Sequence, residues 1–225
     1  MSTKSLRASK ETEATARTSV VAVAREMSQL GLSPGRSGNV SRRWRDGMLI
    51  TPSGIAYDLT GPKDIVFVDG DGSTAAGQRK PSSEWRFHLA AYEARPDRHA
   101  VVHTHSLNAT VLACARMSIP AFHYMVAAAG GHDIPCVPYA TFGTEALSKH
   151  VANGLGARDA CLLANHGQIS IGDTLPSALE LAAHVEVLAE QYYKVLTLGK
   201  PHLLDAAELA RGLEKFKGYG QKAQG

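Results

Sequence analysis

The stretch Ala100-Val101-Val102-His103-Thr104-His105-Ser106 decides how the rest of the chain is interpreted. Its apolar start is typical of a buried strand, and it leads directly into two histidines separated by one residue. Side chains two positions apart in a strand point to the same side of the sheet. The imidazoles of His103 and His105 can therefore face one metal ion, and imidazole is the side chain that most often ligates metals.

Two further stretches carry side chains that could belong to the same site. Residues 160–167 repeat the pattern of an apolar strand that ends in a histidine, His166, and Pro81-Ser82-Ser83-Glu84-Trp85 places a carboxylate at an apparent helix start. Three histidines with one open position are typical of catalytic zinc sites, whereas structural sites close all four positions, usually with cysteine. Each stretch taken alone has an alternative interpretation. The histidines could simply be polar residues at strand ends. Glu84 could be an acidic residue that favours the helix dipole or pairs with His88.

Length and composition predict one globular domain. The chain has 225 residues, of which 44% are hydrophobic, and a formal net charge of +3. This length needs no second domain, so we expect a polar, flexible tail over residues 1–10 and a single domain over residues 11–225. The nearly balanced charge argues against nucleic acid as a partner, and no apolar run reaches the length of a membrane span. The three cysteines contain no Cys-x-x-Cys pair, which is typical of reduced thiols in a cytoplasmic protein.

The order of the predicted elements indicates the fold class. Short strands, some joined by hairpins, alternate with helices but lack the regular βαβ repeat of a Rossmann fold. We therefore expect an α/β fold in which a mostly antiparallel sheet lies between helical layers. Helices are predicted from about residue 20 to residue 30 and over residues 82–94, 107–117, 144–153, 176–198 and 206–217. The predicted strands include residues 48–51, 65–68 and 100–103. Residues 119–142 are predicted to be irregular.

Several separated motifs resemble those of the class II aldolase/adducin family, in particular of its aldolases of the fuculose-phosphate type. The resemblance extends from the first predicted helix to Tyr219. The motifs that carry it are Ser37-Gly38-Asn39-Val40-Ser41, Thr51-Pro52-Ser53-Gly54, Pro81-Ser82-Ser83-Glu84, His103-Thr104-His105, His123-Tyr124-Met125, Tyr139-Ala140-Thr141-Phe142-Gly143, Asn165-His166-Gly167 and Lys215-Phe216-Lys217-Gly218-Tyr219-Gly220.

The resemblance implies a three-layer α/β/α domain with a central, mostly antiparallel sheet, and a homotetramer with active sites at subunit interfaces. It implies one Zn²⁺ per subunit, held by His103, His105 and His166. Glu84 would be a fourth ligand in the resting enzyme and the acid/base during turnover. Tyr124, contributed by a neighbouring subunit, would be the second proton-transfer residue.

The same resemblance assigns residues to the substrate. Phe142, Phe216 and Tyr219 match residues that surround the aldehyde part. Arg36 stands where these enzymes commonly have a small hydroxyl residue, and it either contacts the phosphate or points to solvent. The phosphate-binding positions are matched by Gly38, Asn39, Ser53, Gly54, Ser82 and Ser83.

The implied activity is that of a lyase that reversibly cleaves a ketose 1-phosphate into dihydroxyacetone phosphate and an aldehyde. L-Fuculose, 5-deoxyribulose and 5-methylthioribulose 1-phosphates are the candidate substrates. The chemistry is consistent with this activity, because cleavage leaves negative charge beside a carbonyl, which a Lewis-acid metal stabilises. A carboxylate such as Glu84 and a phenol such as Tyr124 can move the two protons.

Other functions within the family remain alternatives. A ribulose-phosphate 4-epimerase resembles this site, but those enzymes carry aspartate where Glu84 stands. A methylthioribulose-phosphate dehydratase shares the three histidines. An adducin-like interaction domain would have lost its metal, but the intact histidines and Glu84 argue against this alternative. In an enzyme of this family, iron, cobalt or manganese could replace zinc.

Overall fold

The computed structural model describes residues 11–216, apart from the side chain of Phe216. The predicted tail over residues 1–10, Tyr219 and the Phe216 side chain therefore lie outside the described part of the chain. The division into a tail and one domain stays a prediction.

Seven strands form one open sheet in the order β3-β2-β1-β4-β7-β6-β5. All neighbouring strands are antiparallel except β5 and β6, which pair in parallel. The strands are β1 (Asn39–Trp44), β2 (Gly47–Ile50), β3 (Val66–Val68), β4 (Ala100–Thr104), β5 (Cys136–Val137), β6 (Ala160–Leu163) and β7 (Gly167–Gly172). The predicted α/β fold with a mostly antiparallel sheet is confirmed.

The helices cover both faces of this sheet. They are α1 (Glu13–Gln29), α2 (Trp85–Ala94), α3 (Leu107–Cys114), α4 (Glu145–Leu155), α5 (Leu175–Leu198) and α6 (Ala206–Phe216), with short 3-10 helices at Pro62–Asp64 and Tyr124–Ala129. Apolar residues of α1 and α5 pack against one face through Val40 and Val102. Those of α2 and α4 pack against the other face through Val101, because successive strand residues point to opposite sides. The three layers are confirmed.

Four of the predicted boundaries were wrong. The first helix begins at Glu13 rather than near residue 20. The helix predicted over residues 107–117 ends at Cys114, because Arg116 adopts a left-handed conformation with φ 54°. The segment 119–142 is not wholly irregular, since it contains the Tyr124–Ala129 turn and the short edge strand β5. Prolines flank that strand, and proline is tolerated at a sheet edge. The helix predicted from residue 82 begins at Trp85.

None of the helices in the described part of the chain combines the length and the apolar character needed to cross a bilayer.

Candidate active site

Four potential metal ligands meet at one edge of the sheet. His103 is the next-to-last residue of β4, and His105 follows the end of that strand. His166 directly precedes β7, and Glu84 directly precedes α2. Because β4 and β7 are antiparallel neighbours, the end of one and the start of the other lie at the same edge. The structure thus brings together all four ligands predicted from the sequence.

The ligand atoms lie close enough to share one ion. One nitrogen or oxygen from each of the four residues lies within 4.8 Å of the corresponding atoms of the others. Nε2 of His103 and Nε2 of His105 are 3.0 Å apart. The Glu84 carboxylate spans the cluster, with Oε1 3.0 Å from Nε2 of His166 and Oε2 3.3 Å from Nε2 of His103. This arrangement could hold a single metal ion.

The hydrogen bonds of His103 support that interpretation. Its Nδ1 lies 2.7 Å from the backbone carbonyl oxygen of Gln168, so Nδ1 carries the proton and donates it. With Nδ1 donating, Nε2 is the ring nitrogen that can bind a metal, and it faces a second imidazole nitrogen and a carboxylate. Such an outer hydrogen bond to a carbonyl is the usual way in which proteins orient a metal-ligating histidine. The donor set, three imidazoles and one carboxylate, fits a divalent metal such as zinc.

The protonation states also suit a metal site. Burial, together with the neighbouring His103 and His166, lowers the pKa of His105 to about 3, so its ring is neutral at pH 7. Burial raises the pKa of the Glu84 carboxyl, but the adjacent His103 and His166 outweigh this effect and hold it well below its usual range. Glu84 is therefore ionised, as a ligand must be.

The start of α2 differs from the prediction in a way that matters for the site. Glu84 itself is the N-cap residue, and its side chain makes no capping hydrogen bond. The Ser82 hydroxyl instead accepts from the backbone N–H of Glu84 at 3.3 Å. The Glu84 carboxylate also does not pair with His88, whose ring contacts Asn39 and Ser41. The carboxylate is thereby directed to the histidine cluster.

Two polar loops lie beside the cluster. The backbone N–H of Ser53 donates to the carbonyl of Lys80 at 2.9 Å, and that of Ser82 donates to the carbonyl of Thr51 at 3.0 Å. These bonds hold the Ser53-Gly54 loop against the Ser82-Ser83 turn. The loop that precedes β1 packs on β4, where a Cβ at Gly38 would lie 2.6 Å from the His103 carbonyl oxygen, so only glycine fits.

A cavity of about 330 Å³ opens between these loops and the histidine cluster. Glu84, His105 and His166 line it, whereas His103 is fully buried behind them. The six residues predicted to bind phosphate also line it, namely Gly38, Asn39, Ser53, Gly54, Ser82 and Ser83. Their predicted role needs a concave polar surface next to the metal ligands, and the cavity provides one.

The residues predicted for the rest of the substrate have different surroundings. Phe142 lines the cavity and is 62% exposed. Tyr124 is 56% exposed, and its ring centroid lies 4.7 Å from that of His123. Tyr124 is not among the residues of the described chain that line the cavity, so its contribution from a neighbouring subunit stays a prediction.

The cavity also contains residues that sequence reasoning did not assign to it. Tyr139 and Asn165 line it, and Asn165 has a left-handed backbone with φ 55°. Both residues lie inside motifs quoted for the family resemblance, which was the available signal. Arg36 lines the cavity too, and its guanidinium donates to the Gly54 carbonyl at 2.9 Å.

Comparison with known proteins places this site in a family. Residues 18–193 match the family model described as Class II Aldolase and Adducin N-terminal domain. A protein of Rhodospirillum rubrum named 5-methylthioribulose-1-phosphate/5-deoxyribulose-1-phosphate aldolase is 55% identical over 206 residues, covering 91% of this chain and 92% of that protein. The L-fuculose phosphate aldolase of Escherichia coli K12 is 53% identical over 200 residues, covering 88% and 93%.

A solved structure agrees with this placement. A protein described as L-fuculose 1-phosphate aldolase superimposes with a TM-score of 0.86 at 38% identity, covering 90% of this chain and 96% of the other. The resemblance drawn from the sequence is confirmed. The predicted reaction class is confirmed as well, because the relatives are named aldolases and aldolases are lyases. The chain therefore belongs to the class II aldolase and adducin family.

Proposed function

We propose that this protein is a zinc-dependent aldolase that reversibly cleaves a ketose 1-phosphate into dihydroxyacetone phosphate and an aldehyde. The observation that carries the proposal is the convergence of Glu84 with His103, His105 and His166 at the wall of a polar cavity. L-Fuculose, 5-deoxyribulose and 5-methylthioribulose 1-phosphates are the candidate substrates, since relatives that are named for acting on them are similar over most of their length.

In this proposal the three histidines and Glu84 hold one divalent metal per subunit. A metal bound there supplies a Lewis acid for the negative charge that cleavage leaves beside the carbonyl. Glu84 moves the proton at the substrate carbon, which its position at both the metal cluster and the cavity allows. Metal analysis of the purified protein decides between zinc and iron, cobalt or manganese.

In this proposal the substrate phosphate binds between the two loops. The hydroxyls of Ser53, Ser82 and Ser83 and the glycine-containing turn at Gly54 line the cavity and provide neutral donors. The start of α2 lies there as well, and backbone N–H groups at a helix N-terminus favour anions. Phe142, Phe216 and Tyr219 are proposed to surround the aldehyde part.

A homotetramer is part of the same proposal. Three hydrophobic residues are strongly exposed in the single chain, namely Leu107 (73%), Tyr124 (56%) and Val111 (47%). Exposed apolar side chains of this size favour burial between subunits. Light scattering of the purified protein measures the assembly, and a monomer would contradict a site shared between subunits. A cytoplasmic location is likewise proposed from the cysteine usage.

The proposed activity is tested with a panel of ketose 1-phosphates. We expect release of dihydroxyacetone phosphate from at least one of the fuculose, 5-deoxyribulose and 5-methylthioribulose 1-phosphates, with ribulose 1-phosphate as the comparison. Loss of water from methylthioribulose 1-phosphate without carbon–carbon cleavage would favour the dehydratase alternative. Epimerisation at C4 of ribulose 5-phosphate would favour the epimerase.

We expect Tyr124→Phe to slow cleavage about 100-fold, because it removes the hydroxyl proposed to move the proton of the C4 hydroxyl, which is lost as the aldehyde forms and is returned in the reverse reaction. Bound metal should not change, because Tyr124 is not one of the four clustered ligands. Turnover and metal content are measured on the same preparation. Tyr193→Phe, which removes a tyrosine hydroxyl on α5, is the control. A Tyr124→Phe enzyme at full rate would show that another group handles this proton.

We expect Arg36→Thr to raise the KM for the phosphate substrate about tenfold with little change in kcat. Among the described residues that line the cavity, Arg36 is the only lysine or arginine, so it supplies the positive charge that faces the phosphate. A factor of ten corresponds to about 1.4 kcal/mol, at the low end for a hydrogen bond to a charged group, as suits an exposed side chain. Arg36→Lys keeps the charge but loses the bidentate geometry of the guanidinium, so its KM should lie between those of wild type and Arg36→Thr. An unchanged KM in Arg36→Thr would mean that Arg36 serves only the Gly54 loop.

A further inference from the structure

A row of buried polar side chains leads away from Glu84 between β1 and α2. Asn39 and Ser41 lie two apart on β1 and so point to one face. Glu84, His88 and Tyr92 lie four apart on α2 and its N-cap, and so share one side of the helix. All five residues are buried. The two spacings bring the side chains into alternating contact.

Each side chain hydrogen-bonds to the next. Nδ2 of Asn39 lies 2.8 Å from Oε2 of Glu84. Oδ1 of the same amide contacts Nε2 of His88. Nδ1 of His88 lies 2.7 Å from the Ser41 hydroxyl, which lies 2.8 Å from the hydroxyl of Tyr92. We call these five residues the β1–α2 polar row.

The donor and acceptor groups of the β1–α2 polar row allow its hydrogen bonds to be donated in one direction, from Tyr92 toward Glu84. Nδ2 of Asn39 can only donate, so the amide donates to Oε2 of Glu84. The amide oxygen then accepts, and His88 donates from Nε2. A neutral imidazole has one N–H, so Nδ1 accepts from Ser41, whose oxygen accepts from Tyr92. His88 is neutral, because burial lowers its pKa to about 3.

We propose that His88 is a positioning residue that orients Glu84 through Asn39. Its Nε2–H holds the Asn39 oxygen, and this contact leaves the Asn39 N–H facing the carboxylate. That carboxylate is thereby kept between His103 and His166, where its two oxygens lie. The inference rests on the proposed function in one respect only, namely that Glu84 moves the proton in turnover.

The physical reason is the two-sided nature of an amide. Without the donor from His88, the Asn39 side chain can rotate and present its oxygen to Glu84. A hydrogen bond would then be replaced by repulsion between two acceptors inside the protein, where unpaired polar groups are costly. Residues that orient the ligands of a metal site typically contribute 10- to 100-fold to activity or affinity when they are replaced.

Two substitutions of His88 separate positioning from simple packing. His88→Leu removes both ring nitrogens, and we expect kcat to fall about 10- to 100-fold with KM within about twofold of wild type. His88→Gln keeps an N–H near the position of Nε2 and should recover most of that loss. Both are assayed at saturating Zn²⁺ with metal content measured, so that loss of metal does not explain the result. A kcat within twofold of wild type in His88→Leu, or equal losses in the two variants, would overturn the proposal.

A second pair of variants keeps the test open if His88→Leu fails to fold. Ser41→Ala removes only the hydroxyl that donates to Nδ1 of His88, and we expect kcat to fall about three- to tenfold. Thr60→Val is its matched control, because it also removes a buried hydroxyl, which donates to the Ala56 carbonyl at 2.9 Å outside the row. Equal kcat values in the two variants would count against the proposal.

A measurement that needs no turnover completes the test. In zinc-loaded protein with ¹⁵N-labelled histidine, the His88 resonances, assigned by their loss in His88→Gln, should show a proton on Nε2 and none on Nδ1. A proton on Nδ1 would reverse the row and overturn the inference. Wild-type protein that cleaves no ketose 1-phosphate would instead overturn the proposed function, and the His88 tautomer would still be measured.

Discussion

Glu84→Gln is expected to abolish cleavage, with a loss of about 1,000-fold or more in kcat. The substitution changes little in size, but it removes the negative charge that accepts the Asn39 N–H and faces His103 and His166. An amide cannot take up and release the proton, and proton transfer by a positioned group is worth about 10²- to 10⁴-fold. The amide also replaces one of the two carboxylate oxygens by an NH2 group, which must face either Asn39 and His103 or His166. Both effects reduce the rate.

The measurement is the release of dihydroxyacetone phosphate at saturating Zn²⁺, with bound metal determined on the same sample. The three histidines remain in Glu84→Gln, so we expect the variant to retain metal. Glu93→Gln, an exposed position on the same helix, is the matched control and should keep the wild-type rate. Cleavage by Glu84→Gln at a rate near that of Glu93→Gln would remove Glu84 from the mechanism.

His103→Ala is expected to lose both bound metal and cleavage. His103 is fully buried, and its Nε2 lies within 3.3 Å of both His105 Nε2 and Glu84 Oε2, at the centre of the cluster. Replacing an outer-shell partner of a metal site already weakens binding about 10- to 100-fold, so removal of a ligand should cost at least about 100-fold. Metal retained after dialysis against a chelator, per subunit, measures the loss.

The same substitution also removes the His103 hydrogen bond to the Gln168 carbonyl, which costs about 0.5–1.5 kcal/mol of stability. His103→Asn separates loss of the metal ligand from loss of this hydrogen bond. Its side-chain N–H can take the place of the Nδ1 donor, while nothing replaces Nε2 as a ligand. We expect His103→Asn to lose metal as His103→Ala does but to unfold at a higher temperature. His99→Ala, an exposed histidine just before β4, should lose neither metal nor activity. Full cleavage by metal-free wild-type protein would contradict this account of the site.

Much of the site could be predicted because it depends on local spacing. The alternation of side chains in a strand is enough to put His103 and His105 on one side, and β4 has that geometry up to Thr104. The ends of the two apolar strands at His103 and His166 marked the polar edge of the sheet. The fold class followed in the same way from the order of helices and strands, and the family motifs added Glu84 to the set.

The sequence by itself therefore determined the class of fold, the family, and the residue types that could ligate a metal. Only the tertiary structure decided which atoms face each other. The contact of Asn39 with Glu84 depends on how α2 packs on β1. From the sequence His88 was only a possible pair for Glu84, and its hydrogen bonds to Ser41 and Asn39 are visible only in the folded chain. The availability of His103 Nε2 as a ligand depends on the register that places Gln168 beside the ring. Spacing along one element is a property of neighbouring residues, whereas packing and register are properties of the whole chain.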